Sequence, residues 1–369
     1  MGYTRPRRRS DRRGFVPPCA PDALPYDALP IDNPPPKDAT VTVTVTSQPA
    51  SARATERAHV LTVANLSPLL VAVLNDAFVV HHGTHESDPA AFAQAAPGIQ
   101  AIAVGGESKV GAALMDQLPA LRIISVLGVG YDGIDVAAAK ARGVVVTHTP
   151  GVLNDDVADL ALALMLGVAR GIAAADRYVR AGRWPSGPMG LARKVSGARL
   201  GLVGMGRIGQ AIADRALAFG MSVAYTARSA KAELPYRYWP STRALAAECD
   251  FLVVITPGGA ATRKLIDADV LAALGANGYL INVARGSVVD QAALVDALQR
   301  GVIAGAGLDV FENEPEVPRE LWAMDNVLLT PHIASATVQT RTAMAELAFR
   351  NLQALFAGAT LPSPVPECQ

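Results

Sequence analysis

The sequence predicts an α/β protein built from two successive units, and three observations support this. From His59 onward, short apolar runs alternate with Ala- and Leu-rich stretches of helical length, as is typical of parallel strands with crossover helices. A second alternating series begins at Ala198 and continues past Ile333. A chain of 369 residues, of which 50% are hydrophobic, is also long enough to bury two cores of ordinary size.

Residues 1 to 57 precede this pattern and differ from it. They hold six arginines within the first 13 positions, followed by prolines and a low-complexity stretch. Little in this segment can bury enough apolar surface to offset the entropy lost on ordering, so we predict a disordered extension. A targeting peptide and an arm that binds an anionic partner are the alternatives.

Two long helices are predicted beside the alternating series. Asp155 to Gly171 has helical length and spacing, with Asn154 or Asp155 as the cap. The second long helix runs from Thr337 to Phe356. The coarse prediction is therefore two α/β units joined by long helices.

Composition excludes several kinds of partner. The 33 basic and 33 acidic residues balance, so no net charge would attract nucleic acid or an anionic membrane. Neither the three cysteines nor the histidines His81, His82 and His85 have the partners and spacing of a metal site. No apolar run reaches the roughly 18 residues of a membrane-spanning helix. We therefore expect a cytoplasmic protein that binds no metal, nucleic acid or membrane.

A glycine-containing turn opens the second unit. An apolar strand is followed by Gly204, Gly206 and Gly209, and then by a helical stretch. In such turns the first glycine permits the tight bend, the second lets the backbone approach a pyrophosphate, and the third lets the helix pack closely on the strand. The helix N-terminus adds free N–H donors and a favourable dipole. We predict a dinucleotide site here, with Arg207 and Ile208 at the helix start among its contacts.

The residues about 20 positions beyond the turn indicate which dinucleotide binds. An NAD site would have Asp or Glu there, whereas an NADP site would have an arginine for the 2′-phosphate. The sequence has Arg228, Ser229 and Lys231. A guanidinium can chelate a phosphate through two hydrogen bonds, with serine donating a third and lysine adding charge. We predict NADPH as cofactor with NADH possible; the alternative is that these residues are surface charges on a loop.

Ionisable residues follow three later apolar runs. They are Arg285, then Asp309 and Glu314, and finally His332. Ligands of open α/β sheets lie beyond the carboxyl ends of the strands, so these side chains should converge on one crevice. Hydride transfer to a ketone creates an alkoxide that needs a proton donor, for which histidine is suited because its pKa lies near neutrality. Glu314 would favour the imidazolium, and Arg285 would bind the carboxylate of a 2-keto acid and polarise its carbonyl.

At these residues the sequence resembles the D-isomer-specific 2-hydroxyacid dehydrogenases. The motifs VGYDGID, TPGVLNDDVADLALALML, GLVGMGRIG, INVARGSVVD, GLDVFENEP and TPHIASAT occur in the order and approximate spacing of that family, over about residues 60 to 365. Within the family the chain looks most like the glyoxylate/hydroxypyruvate reductases, whose members often carry an Arg-Ser pair after the second strand and prefer NADPH. In a loop where many members have Pro-Leu-Thr, this chain has Gly258, Gly259 and Ala260.

The resemblance implies roles for individual residues. Arg285 matches the family's substrate arginine, and Glu314 matches the glutamate that supports the histidine. His332 matches the acid/base histidine. Asp309 matches the aspartate that holds the nicotinamide carboxamide. The backbone of Val104, Gly105 and Gly106 matches the N–H cradle for the substrate carboxylate. Thr256 and Ala284 complete the expected cofactor contacts.

The resemblance also implies two Rossmann-like domains, with the cofactor domain inserted into a flavodoxin-like substrate domain. The expected boundaries are a disordered extension over 1–57, the first part of the substrate domain over 58–154, the NAD(P)-binding domain over 155–336, and a C-terminal helix over 337–369 that returns to the substrate domain. Family members are usually dimers, so we expect a homodimer in which the segment around Leu160 to Gly190 wraps the partner. Trp184 and Met189 would then face a neighbouring active site, or Trp184 would pack in its own subunit.

The predicted function is NADPH-preferring reduction of a small 2-keto acid, glyoxylate or hydroxypyruvate, to the D-2-hydroxy acid. Two alternatives stay open. One is a dehydrogenase of a bulkier 2-keto acid, because pocket size is not legible from the sequence. The other is a dinucleotide-sensing regulator without turnover, against which the intact Arg285, Glu314 and His332 argue.

Overall fold

The structure is a computed structural model that describes residues 57–64 and 66–369. Residues 1–56, nearly all of the extension for which we predict disorder, lie outside the described residues. The described chain forms two wholly parallel sheets of five and seven strands, which confirms the predicted α/β class.

The first sheet is formed near the start of the described chain. Its strands are β1 (His59–Val63), β2 (Val79–His82), β3 (Ile99–Gly105), β4 (Ile123–Leu127) and β5 (Val145–Thr147), in the order β2-β1-β3-β4-β5. The helices between them are α1 (Pro68–Ala77), α2 (Thr84–Ser87), α3 (Pro89–Ala95), α4 (Ala112–Met115) and α5 (Val136–Ala141). All five residues of the interior strand β4 are buried, as expected of a parallel sheet covered on both faces.

Two helices, α6 (Asn154–Ala169) and α7 (Ile172–Arg180), lead into the second sheet. The long helix predicted from Asp155 thus begins one residue earlier and ends before Gly171, whose left-handed backbone (φ 59°) precedes α7. Within the described part of the chain, no single helix is long and apolar enough to cross a membrane. The helices α6 and α7 meet that test only together, as a pair bent by 59°.

The strand order of the second sheet changes direction at the centre of the sheet. Its strands are β6 (Arg199–Val203), β7 (Ser222–Thr226), β8 (Arg237–Tyr238), β9 (Phe251–Val254), β10 (Tyr279–Asn282), β11 (Gly305–Leu308) and β12 (Val327–Leu329). Their order is β12-β11-β10-β9-β6-β7-β8. The strands β7 and β8 therefore lie on one side of β6, and β9 to β12 lie on the other. The intervening helices are α8 (Arg207–Ala218), α9 (Thr242–Ala246), α10 (Ala268–Leu274) and α11 (Gln291–Gln299). Such a switch point opens a crevice at the carboxyl ends of the strands.

The last helix, α12 (Val338–Phe356), packs on the first sheet rather than the second. Thr337 caps it by accepting a hydrogen bond from the Thr340 N–H. The Ser125 hydroxyl of β4 donates to the Ala348 carbonyl at 3.0 Å. Residues near the C-terminus therefore join the sheet formed by the start of the described chain, while the domain boundaries expected from the sequence stay a prediction.

Candidate active site

The glycine turn between β6 and α8 has the geometry that a phosphate group requires. Gly204 has φ 109°, and a Cβ there would lie 2.7 Å from the Ile255 carbonyl oxygen. A Cβ at Gly209 would lie 2.6 Å from the Gly204 oxygen, so α8 packs directly on the turn. Gly206 is the N-cap of α8 and has open space around its Cβ position. No side chain caps this helix, so its first N–H groups are available to an anion and fit a cofactor pyrophosphate.

The remaining predicted cofactor residues lie around this turn. Arg207 and Ile208 begin α8, and Thr256 follows β9, with its backbone nitrogen 3.0 Å from the Cβ position of Gly204. Ala284 follows β10 and is buried, and its N–H donates to the Asn282 side chain at 3.0 Å. The structure therefore brings these residues to one edge of the sheet, and their contact with a cofactor stays a prediction.

The basic residues lie at the end of the neighbouring strand, β7. The Gly204 N–H donates to the Thr226 carbonyl at 2.9 Å, which places the end of β7 beside the glycine turn. Arg228 and Ser229 follow at once and are exposed. The Lys231 N–H donates to the Tyr225 hydroxyl at 2.7 Å, which orders the loop that carries them. Arg228 and Ser229 are thus accessible to a phosphate near the turn.

His332 and Glu314 form a hydrogen-bonded pair. Nδ1 of His332 lies 2.7 Å from Glu314 Oε2, and Oε1 of the same carboxylate accepts from the Phe311 N–H at 2.8 Å. The hydrogen bond that His332 makes to the Glu314 carboxylate raises the pKa of His332, although burial of the ring acts in the opposite direction. Burial by itself would raise the pKa of Glu314, but its hydrogen bonds with His332 and Phe311 outweigh this and lower it. The pair therefore favours an imidazolium beside a carboxylate.

The backbone of His332 is in the left-handed region (φ 53°), which costs free energy for a residue with a side chain. The buried Asp309 stabilises this turn: its carboxylate accepts from the Thr330 hydroxyl at 2.7 Å and from the N–H groups of Ile333 and Ala334 at 2.8 and 2.9 Å. Burial raises the pKa of Asp309 in spite of these donors. These three donors take most of the roughly four acceptor positions of a carboxylate, so Asp309 mainly supports the turn. Its contact with nicotinamide stays a prediction.

Arg285 extends from the end of β10 toward the first sheet. Its Nη1 donates to the Ala284 carbonyl at 2.8 Å, and its Nε lies 3.3 Å from Asp132 Oδ1. Gly258 makes room for this ion pair, because a Cβ there would lie 2.7 Å from Asp132 Oδ2 and 3.0 Å from Arg285 Cγ. The glycine that departs from the usual family loop is thus adjacent to the arginine.

The predicted substrate cradle lies opposite the guanidinium. Val104 and Gly105 end β3, and Gly106 follows, with its Cβ position 3.8 Å from Arg285 Nη2. The backbone is tightly packed here, because the same Cβ would lie 2.8 Å from the Gly130 carbonyl oxygen. The structure therefore brings the predicted cradle and the predicted substrate arginine together, at the meeting edges of the two sheets.

Glu107 also belongs to this cluster, and the sequence analysis missed it. Its Oε1 lies 3.4 Å from His332 Nδ1 and 3.7 Å from Arg285 Nε. Burial and repulsion by Glu314 raise the pKa of Glu107, against the opposing effects of the two cations. By distance alone Glu107, Glu314 and His332 form a group able to ligate a metal ion, but the neighbouring Arg285 charge opposes a cation there. The only sequence signal was its position directly after the predicted cradle.

The segment expected to wrap a partner has exposed apolar side chains. Trp184 is 67% exposed and Met189 is 41% exposed. The described residues thus leave most of Trp184 uncovered, and its packing within its own subunit or against a partner stays a prediction. The expected dimer stays a prediction.

Known proteins similar to this chain agree with the geometry. The family profile "D-isomer specific 2-hydroxyacid dehydrogenase, NAD binding domain" matches residues 162–334. A 2-ketogluconate reductase of Gluconobacter oxydans is 46% identical over 306 residues, which cover 83% of this chain and 98% of that protein. A glyoxylate/hydroxypyruvate reductase A of Arabidopsis thaliana is 46% identical over 267 residues, covering 72% of this chain and 85% of that protein.

Solved structures include a similar protein with a bound nucleotide. The NADPH-dependent glyoxylate/hydroxypyruvate reductase of Sinorhizobium meliloti, in complex with NADP and malonate, is 46% identical, covers 85% of this chain and 98% of its own, and superposes with a TM-score of 0.80. Sequence identity over most of both chains and the shared fold lead to one conclusion. The chain belongs to the D-isomer-specific 2-hydroxyacid dehydrogenases, NAD(P)-dependent enzymes that reduce 2-keto acids, and it is similar to glyoxylate/hydroxypyruvate reductases.

Proposed function

We propose that this enzyme prefers NADPH and reduces a small 2-keto acid, glyoxylate or hydroxypyruvate, to glycolate or the D-2-hydroxy acid. The observation that carries the proposal is the 2.7 Å contact between His332 and Glu314. Arg285 belongs to the same cluster, and the glycine turn follows a strand of the same sheet at the same edge. A proton donor, a carboxylate-binding group and a dinucleotide-binding turn are the three parts that this reduction needs.

His332 is the proposed proton donor. When bound, the nicotinamide cofactor supplies the hydride. The Nδ1–H of His332 donates to Glu314, so the proton on Nε2 of His332 is the one available to the oxygen of the reduced carbonyl. Because Glu314 raises the pKa of His332, the imidazolium persists to higher pH than it would without this carboxylate, and it can give up that proton.

Arg285 is the proposed substrate-binding group. Asp132 holds Nε and the Ala284 carbonyl holds Nη1. Nη2 lies against the backbone at Gly130 and near the loop at Gly106. A substrate carboxylate between Nη2 and the backbone N–H groups of residues 104–106 would receive hydrogen bonds from both sides. That placement brings the adjacent carbonyl toward His332.

The preference for NADPH is supported by the exposed Arg228 and Ser229 beside the glycine turn. It is also supported by the NADP bound to the Sinorhizobium meliloti relative. We further propose a homodimer, because the chain exposes Trp184, Leu191 and Ile172 in and after the helices that precede β6. A cytoplasmic location stays an expectation from composition.

A bulkier 2-keto acid is the second candidate substrate. A hydroxyphenylpyruvate reductase of Plectranthus scutellarioides is 49% identical over 265 residues, covering 71% of this chain. In the described part of the chain, the cluster of His332, Glu314 and Arg285 is partly open to solvent, since the neighbouring Glu107 side chain is 43% exposed. Size selection therefore has to be measured.

The test is the oxidation of NADPH and NADH by the purified protein with glyoxylate, hydroxypyruvate, pyruvate and phenylpyruvate, followed by absorbance of the reduced cofactor. We expect the highest kcat/KM for NADPH with glyoxylate or hydroxypyruvate. A higher value for phenylpyruvate would favour the bulkier substrate class. No oxidation of either cofactor with any 2-keto acid would refute the proposed function.

A further inference from the structure

We infer that Glu107 is a positioning residue that takes up a proton when the carboxylate of the substrate binds Arg285. Without substrate, the ionised Glu107 is a partner of Arg285 and His332. With substrate, the protonated Glu107 leaves the guanidinium to the ligand. The inference rests on the proposed function, in which Arg285 binds the carboxylate of a 2-keto acid.

Glu107 reaches the catalytic residues from the other sheet. It lies in the loop after β3, one position beyond the cradle residue Gly106. Its Oε1 is 3.4 Å from His332 Nδ1 and 3.7 Å from Arg285 Nε. One carboxylate oxygen is thus shared by the two cations that the reduction uses. Neither contact involves Nε2 of His332, the proposed proton donor, so Glu107 acts through these residues and not on the reacting atoms.

The carboxylates of this cluster outnumber its cations before any substrate binds. Asp132 pairs with Arg285 Nε at 3.3 Å, and Glu314 pairs with His332 Nδ1 at 2.7 Å. These two ion pairs balance, so an ionised Glu107 is the uncompensated negative charge. A substrate carboxylate on Arg285 would add a further negative charge to the same cluster. Uptake of a proton by one carboxyl group relieves this excess.

Glu107 is the carboxyl group best placed to take that proton. Hydrogen bonds from His332 and from the Phe311 N–H lower the pKa of Glu314 and keep it ionised. Burial, and then repulsion by Glu314, raise the pKa of Glu107 although His332 and Arg285 oppose this. The Glu107 side chain is 43% exposed, so water can deliver the proton.

A protonated Glu107 has a hydrogen-bond acceptor beside it. One carboxyl oxygen of Glu107 and one of Glu314 lie within 4.8 Å of each other, and the two groups hydrogen-bond once one of them carries a proton. The shorter contact, between Glu314 and Nδ1 of His332, stays in place. The imidazolium therefore keeps its carboxylate partner, while Arg285 exchanges the Glu107 carboxylate for that of the substrate.

The sign of the pH dependence follows from the proton uptake. Below the pKa of Glu107 in the substrate-free enzyme, the proton is already bound and the affinity for substrate does not depend on pH through this group. Above that pKa, which is raised from the ordinary value of glutamate, each binding event takes a proton from solution. The dissociation constant therefore rises with pH until the still higher pKa of Glu107 in the complex is passed.

The experiment measures the affinity of the full-length enzyme, saturated with NADPH, for oxamate, a 2-keto acid analogue that is not reduced. Titration calorimetry from weakly acid to neutral pH, in buffers of different ionisation enthalpy, gives Kd and the number of protons taken up. Glu107→Gln keeps the hydrogen-bonding shape of a protonated glutamate but cannot titrate.

We expect wild type to take up more protons than Glu107→Gln, and its Kd to rise with pH where that of the variant stays level. At the upper end of the range the variant should bind oxamate about fivefold or more tightly than wild type, the lower limit for two like charges a few Å apart. Lys109→Gln, which removes an exposed charge of the same loop, is the control and should behave as wild type.

Two results would overturn the inference. One is a Glu107→Gln enzyme whose Kd rises with pH as in wild type, or that binds oxamate more weakly than wild type at every pH, as expected if Glu107 only shapes the loop. The other, decisive even if the variant does not fold, is a wild-type enzyme that binds oxamate without taking up a proton at any pH. Both leave the proposed function intact, whereas a wild-type enzyme that neither binds oxamate nor reduces any 2-keto acid would refute the proposed function as well.

Discussion

Glu314→Gln removes the negative charge beside His332 while preserving the shape of the side chain. In the native site this carboxylate lies 2.7 Å from Nδ1 and is the main cause of the raised pKa of His332. A hydrogen bond to a charged group contributes about 1.5–3 kcal/mol, and about 1.4 kcal/mol corresponds to one pKa unit. We take the lower end, about 1.5 kcal/mol, because the ring is 35% exposed and solvent screens the pair.

The sign follows from the protonation state that reduction requires. Reduction needs the imidazolium, so its rate falls as pH rises through the pKa of His332. A lower pKa in the variant moves this alkaline decline toward acid pH. Glu107 also raises the pKa of His332, so part of the elevation remains.

The assay is kcat for 2-keto acid reduction across the pH range, with cofactor and substrate saturating at each pH. The matched control is Glu316→Gln, an exposed glutamate two positions further along the same segment, which should leave the profile in place. An alkaline limb at the same pH in wild type and Glu314→Gln would refute the assignment of this pair as the proton donor and its support.

Three other substitutions test separate parts of the site. His332→Ala should retain cofactor binding, measured by thermal shift, and lose about 10²–10⁴-fold in kcat; unchanged turnover would remove its acid/base role. Arg228→Ala should shift the NADPH-to-NADH ratio of kcat/KM toward NADH by about tenfold or more, whereas Arg237→Ala, whose guanidinium stacks on Trp239 at 4.1 Å, should not. Equal ratios before and after Arg228→Ala would indicate a surface charge. Asp309→Asn leaves one of the buried N–H donors without an acceptor and should lower the free energy of unfolding by about 1–3 kcal/mol in urea titration; a smaller loss would show that the turn is held by other contacts.

Local features of the fold were predictable because neighbouring residues encode them. The glycine turn and α8 depend on a strand, three glycines and a helix within one short stretch, and the structure has them there. The long helix α6 was predicted to within two residues at each end, because its apolar spacing and first-turn acidic residues are local signals. The α/β class followed from the alternation of such segments.

The sequence by itself determined the fold class, the turn able to hold a phosphate, and which ionisable residues follow the strands. Only the tertiary structure decided which of them touch. Asp132 and Glu107 meet Arg285 although 153 and 178 positions separate them in the chain, and no periodicity or motif encodes contacts of that range. They meet because the carboxyl ends of β3 and β4 in one sheet lie against that of β10 in the other. Packing of the two sheets, rather than local propensity, therefore sets the charges around the catalytic histidine.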